Sequence, residues 1–364
     1  MRSRQSHERA SERSRMSSER TRSAFEVRGY RAGDEHAILA AYNRIFARVD
    51  PGFVPRDERA WRWAFVENPS GSRISLAVAA DGRVVAQYAG LGQRVLVDGR
   101  RTHFSQSVDS FVDPDFASGL ARATAFVRAG ERYAATFGAP AGPDEVMWGL
   151  PVPAAWRIGK EKLGYEVLRT LTFLAAPSER LAGDASAVRE LAGVPDDVER
   201  LAQRVAARRG MLALRDRAHL AWRYERHPLH RYRFGAVVRG GELVGLAIAR
   251  AAELADARGE VLADWLVPDD EPDAARALLA WLARGSPTAS NTAGASRAAR
   301  DASESPELVA FFADTAPEWL AFQRLGFRVR PSRYVQVGRS YVRSLALADV
   351  RRRFWWTLGD TDLV

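Results

Sequence analysis

The chain has 364 residues, 46% of them hydrophobic, enough for about two globular domains with filled cores. Its formal net charge is +9 and arginine carries it, since Lys160 and Lys162 are the only lysines; the arginines are spread along the chain, which speaks against a nucleic-acid groove. There is no cysteine, which excludes disulfides, thiolate nucleophiles and cysteine metal sites, and the six histidines show no HxxxH or HExxH spacing, so no metal is expected.

The first 23 residues hold seven arginines, three glutamates and almost no apolar side chain. A disordered Arg/Ser-rich tail is expected there, without the apolar run of a secretory signal. No later run approaches the roughly 20 apolar residues of a membrane span, and a cytoplasmic location with no membrane partner is expected. In GDEHAILAAYNRIF, Ile38, Tyr42, Ile45 and Phe46 form one helical stripe. AWRWAFVENP follows at 60–69, then SLAVAADGRVVAQYAG, two alternating apolar runs about the turn Asp81-Gly82, a hairpin signal. SVDSFVDPDFASGLARATAFVRAG, at 107–130, reads as strand, tight turn and helix. Such a junction can offer backbone N–H groups and a helix dipole to a phosphate, or its glycine can be a plain geometric device.

The same landmarks return. AWRYERHP at 221–228 repeats AWRWAFVENP, with Trp61 set on Trp222; FGAVVRGGELVGLAIA repeats the hairpin; RLGFRVRPSRYVQVG repeats KLGYEVLRTLTFLAA, at offsets of 161, 159 and 162 residues. A tandem duplication is expected, each unit a mixed α/β arrangement around a largely antiparallel sheet. The units are set at 24–176 and 177–342, with a tail at 343–364 whose aromatics, Trp355 and Trp356 among them, dock on a sheet or stack on a cofactor. The insertion at 286–305 is small, polar and without periodicity, and a disordered loop is expected. The Trp61-Arg62 and Trp222-Arg223 pairs are expected to pack a helix-hairpin corner.

In this order the helix, the hairpin across Asp81-Gly82, the strand ending in VDPDF, the loop and helix, and the LGY and LGF turns resemble the GNAT superfamily of N-acetyltransferases in tandem arrangement. The resemblance covers most of 25–338. It implies an acyl-CoA, most simply acetyl-CoA, whose pantetheine arm runs along Ser110, Phe111 and Val112 and whose pyrophosphate meets Phe116, Ala117, Ser118, Gly119 and Leu120. The superfamily's R/Q-x-x-G-x-G/A loop is reduced here to DPDFASGLAR, in which Gly119 alone survives. The second copy has no glycine in its loop and sets Asp269, Asp270 and Glu271 there, so the cofactor site is assigned to the first unit.

The resemblance further implies direct attack of a small-molecule, sugar or peptide amine on the thioester. The family's acid, a tyrosine three residues before the Leu-Gly-aromatic turn, is replaced by Lys160 and Phe322; Lys160 is a candidate acid or a solvated surface lysine. Strand alternation puts Ser107, Asp109 and Phe111 on one face, which makes Asp109 the candidate base or a structural ion-pair partner of an arginine. Glu67 is a second candidate base or a solvated acid, and Tyr133, His103 and Gln106 border the same region. Two other readings share the fold: a non-catalytic or regulatory double-GNAT protein, and a Fem-type aminoacyl transferase.

Overall fold

The computed structural model describes residues 25–50, 52–116, 120–254, 257–285 and 306–363. The 1–23 tail and the 286–305 insertion of the sequence reading therefore lie outside the described residues.

The first unit runs β1 (Phe25–Gly29), α1 (Asp34–Val49), α2 (Glu58–Phe65), β2 (Ser72–Ala79), β3 (Val84–Val97), β4 (Arg100–Val112), α3 (Leu120–Phe137), β5 (Asp144–Gly149), α4 (Pro153–Lys162) and β6 (Glu166–Pro177). The second runs β7 (Val188–Leu191), α5 (Val198–Arg209), β8 (Met211–Ala213), α6 (Arg217–Leu220) with a π-helical turn (Ala221–Glu225), β9 (Arg233–Arg239), β10 (Glu242–Leu254), β11 (Ala257–Leu266), α7 (Pro272–Ala283), β12 (Glu307–Ala310), α8 (Pro317–Arg324) and β13 (Arg328–Ser340). A tail adds α9 (Leu347–Arg353) and β14 (Phe354–Trp355). The architecture is the expected one, two tandem units of mixed, mostly antiparallel sheet flanked by helices.

The repeat has a different register near its start. Asp57 caps α2 by accepting the N–H of Ala60, and Asp216 caps α6 by accepting that of His219. These caps, the hairpin glycines Gly82 and Gly241, and Trp63 with Trp222 all stand 159 residues apart. Trp222 thus answers Trp63; the match to Trp61 followed from aligning the string AWR, which the two extra residues of AWRWAFVENP displace. Trp61 is 1% exposed and packs on Tyr30 and Phe65.

Among the described residues the strands form one continuous sheet, in the order β1-β2-β3-β4-β5-β13-β6-β12-β11-β10-β9-β7. The last strands of the two units are exchanged. β13 lies between β5 and β6 of the first unit, antiparallel to both, and β6 pairs in turn with β12 of the second. Each unit contains one parallel pair, β4 with β5 and β11 with β12, spanned by the crossover helices α3 and α7.

These parallel pairs hold only at one end. β4 and β5 pair from His103–Asp144 as far as Ser107–Gly149, and β11 and β12 from Gly259–Glu307 as far as Val261–Val309; beyond these points the strands part. The tail closes the second parting. β14 adds in parallel to β8, Trp356 packs on Phe311 at 4.2 Å, and the Thr357 hydroxyl donates to Asp264 on the parted end of β11 (3.2 Å). Trp355 and Trp356 are both buried, so they are core residues of the molecule.

Candidate active site

The first parting holds a cavity of about 240 Å³. Ser107, Val108, Asp109 and Ser110 of β4 form one wall, Gly149 to Val152 and Ala155 the other, with Tyr42, Phe46, Tyr88, Phe126 and Tyr165 closing the ends. Among the described residues no strand pairs with the parted edge of β4, and the lining is mostly apolar. That combination can take an extended ligand that carries its own amide groups.

β4 is distorted at this point. Gln87 of β3 faces Phe111 and Ala89 faces Val108, so Asp109 and Ser110 bulge opposite Tyr88. Asp109 has φ +50°, a left-handed conformation that few non-glycine residues adopt. Gln87 Nε2 donates to the Asp109 carbonyl (2.9 Å) and the Ser110 hydroxyl accepts the Ala89 N–H (3.3 Å), replacing ladder bonds that the bulge breaks. The bulge also shifts the parity of the strand: Val108 and Phe111 point together into the core under α1 and α2. Simple alternation, which set Ser107, Asp109 and Phe111 on one face, does not hold here.

The Asp109 carboxylate is ion-paired with Arg56, whose Nη2 also donates to the Tyr42 hydroxyl (3.2 Å). Asp109 borders a second cavity as well, also about 240 Å³, enclosed by Arg56, Trp63, Leu91, Arg223, the 227–230 turn and the tail residues Thr361 to Leu363. Val108, Asp109 and Asp362 line both cavities, so the two chambers meet at these residues. Asp362 is exposed as a residue, yet its carboxylate turns inward to accept from Gln106 Nε2 (2.8 Å). Burial of that carboxyl group pushes its pKa up, against the lowering effect of its backbone and Gln106 hydrogen bonds. Burial likewise raises Tyr42, opposed by Arg56.

Ser110 lines the first cavity, while Phe111 is buried in the core and Val112 ends β4. Phe116 packs edge-on against Phe25 (5.8 Å). Ala117, Ser118 and Gly119 lie outside the described residues, and Leu120 opens α3. Lys160 is exposed on α4 with its ammonium 6.0 Å from the Trp156 ring, and Glu67 is exposed beyond the end of α2; neither is among the residues that line these two cavities. Phe322 is a core residue, and Tyr133 is buried. Among the described residues no cluster of three or more His, Asp or Glu could hold a metal, and no helix is long and apolar enough to cross a membrane.

The acidic loops after β4 and β11 are both clamped by arginines. Arg44 and Arg48 of α1 reach Asp113 (2.9 Å) and Asp115 (2.7 Å). Arg204, Arg208 and Arg209 of α5 reach Glu271, Asp270 and Asp269. Burial alone would raise Asp113, but the Arg44 hydrogen bond and the Asp115 N–H hold it below the usual carboxylate range. What distinguishes the units is therefore less the acids than the tail, which fills only the second parting.

Arg56, Tyr42 and Asp362 carried no motif. Arg56 lies in the irregular segment before α2 and pairs with Asp109, and Asp362 of the tail lines the same two cavities, both through the fold alone. The β4 bulge likewise leaves no mark in the string SVDSFV.

No protein-family profile matches the chain, and no curated protein matches it in sequence. Solved structures do match in three dimensions. A probable N-acyltransferase from Enterococcus faecalis V583 is 13% identical with a TM-score of 0.60, over 90% of this chain and 74% of that one. A tandem GNAT protein from the clavulanic acid biosynthesis pathway is 14% identical with a TM-score of 0.54, over 87% of this chain and 99% of that one. Saccharomyces cerevisiae N-myristoyltransferase, solved with bound myristoyl-CoA, is 12% identical with a TM-score of 0.52, over 87% of this chain and 79% of that one. At such identities what is shared is the fold, and the fold of this chain is GNAT-like in tandem arrangement.

Proposed function

We propose that the protein is an acyl-CoA-dependent N-acyltransferase with one active centre, in the first unit. The observation that carries this reading is the meeting of two cavities at Asp109 and Asp362, one lined by the parted edge of β4 and the other by polar and aromatic groups of both units and the tail. The first suits a thioester arm, with acetyl-CoA the simplest donor, and the second suits an amine. The structural neighbours named as acyltransferases support the class.

When bound, the acyl-CoA supplies an activated carbonyl. Asp362 takes a proton from the incoming amine; its raised pKa makes it a stronger base than an ordinary carboxylate. Tyr42 would supply the proton that the leaving sulfur takes up when the C–S bond breaks and the new C–N bond forms. Its hydroxyl accepts from Arg56 and keeps its own hydrogen to donate, and its raised pKa keeps it protonated. Asp109, held by Arg56, orients this pair. Lys160 and Glu67 take no part.

The reading is tested by incubating the full chain with acetyl-CoA and a panel of primary amines and following release of the free CoA thiol. Amine-dependent thiol release, lowered about 10²-fold or more in Asp362→Asn with acyl-CoA binding retained, is the expected outcome. Binding of acyl-CoA without transfer to any amine would favour a non-catalytic double-GNAT protein.

A further inference from the structure

We infer that the acceptor is a small primary amine on an apolar, ring-bearing body that lacks a carboxylate; this rests on the acyltransferase reading above. Trp63, Leu91, His227, Leu229, His230 and Leu363 wall the second cavity. The two imidazoles are stacked at 4.6 Å, and Trp63 lies against His227 at 4.2 Å. Burial and nearby arginines push His227 down to about 2 and His230 to about 4, so both rings are uncharged at neutral pH and do not repel an ammonium. His227 Nδ1 accepts the N–H groups of Leu229 (3.2 Å) and His230 (3.1 Å), which fixes its proton on Nε2.

The charged groups discriminate further. Among the described residues two guanidiniums border the cavity and both are engaged: Arg56 by Asp109 and Tyr42, Arg223 by the carbonyls of Gly359 (2.9 Å) and Thr361 (2.8 Å). A substrate carboxylate would compete with Asp109 and the Gly359 and Thr361 carbonyls for these guanidiniums and would sit near the Asp362 carboxylate. An ammonium meets a carboxylate that retains acceptor capacity beyond its bond to Gln106. A polyhydroxylated amine would turn some of its hydroxyls onto the side chains of Leu91, Leu229, Leu363 and Trp63, whose indole N–H is already engaged by the Trp222 carbonyl, and those hydroxyls would lose their hydrogen bonds to water.

The experiment titrates 2-phenylethylamine, phenylalanine and glucosamine into the full chain by intrinsic tryptophan fluorescence without acyl donor, then offers each with saturating acetyl-CoA. We expect 2-phenylethylamine to bind and to be acylated about tenfold or more in preference to the other two. Leu229→Ser, at an exposed position of the wall, should weaken 2-phenylethylamine about threefold and leave glucosamine unchanged. Equal or better use of phenylalanine or glucosamine overturns the inference while leaving the acyltransferase reading intact. Selective binding of 2-phenylethylamine with no binding of any acyl-CoA does the reverse.

Discussion

Trp63 and Trp222 hold each other reciprocally: each indole N–H donates to the other's backbone carbonyl at 2.8 Å, and the rings stack at 5.0 Å and 15°. Residues that answer each other across a duplication make the same contact twice, so this pair marks the local two-fold relation between the units. Removing either ring leaves a buried carbonyl without its donor as well as a cavity. Trp222→Ala should cost about 3–5 kcal/mol by chemical denaturation. The double variant with Trp63→Ala should cost less than the sum of the singles by about 1 kcal/mol, because the second change removes a contact already lost. Strict additivity would deny the coupling.

The same relation sets Asn68 against His227. Each precedes a proline, and each side chain accepts a backbone N–H two residues on, from Ser70 (2.8 Å) and Leu229 (3.2 Å). Asparagine thus suffices for this turn, while His227 adds a titration. Its folded pKa, about 2, lies below the unfolded value of 6.5, so below pH 6.5 the unfolded chain binds the extra proton and stability falls with pH. Between pH 6 and pH 5 the native chain should lose about 1 kcal/mol more than His227→Asn. Parallel stability curves would show that His227 is protonated in the fold.

The exchange of β6 and β13 ties the units together. A chain cut between 176 and 177 leaves each piece without the strand that covers its open β5 or β12 edge. Expressed singly, the pieces should be insoluble or molten by near-UV circular dichroism, whereas co-expression should yield a soluble complex. A cooperative melt from either piece alone would show that the exchange is dispensable.

The tail carries two separable roles. Ending the chain after Arg353 removes Phe354, Trp355, Trp356 and Leu358 from the core, and at about 3–5 kcal/mol per large aromatic side chain the loss is as large as the usual net stability of a domain. That truncation should fail to fold. Asp362→Ala, at an exposed position, should keep the melting temperature within a few degrees and lose turnover; a large fall in melting temperature would make Asp362 structural.

Much of the fold was legible because hairpin turns, apolar alternation and the LGY and LGF turns act locally and occur twice. The strand exchange was not, since β6 and β13 have the same pattern whichever sheet they complete. At the candidate site, Asp109 and Ser110 do line the cavity, but through the β4 bulge and not through the strand alternation that pointed to Asp109. Their neighbours there could not be read, because Arg56, Tyr42 and Asp362 come from an irregular segment, a helix and the last residues of the chain. Lys160 and Glu67 are both exposed, a feature that their place in the string does not show. The tail's aromatics were expected to dock, but which parting they fill depends on β14 pairing with β8 and on Thr357 reaching Asp264.

The parting of β4 and β5 is the place proposed for the acyl donor, whereas the tail fills the parting of β11 and β12. Calorimetric titration of acetyl-CoA into the full chain tests it most directly, with Ala155→Trp, which places an indole in the first cavity, as the paired sample. We expect one molecule bound per chain, with binding abolished in Ala155→Trp. Two molecules per chain, or one whose binding survives Ala155→Trp unchanged, would contradict it.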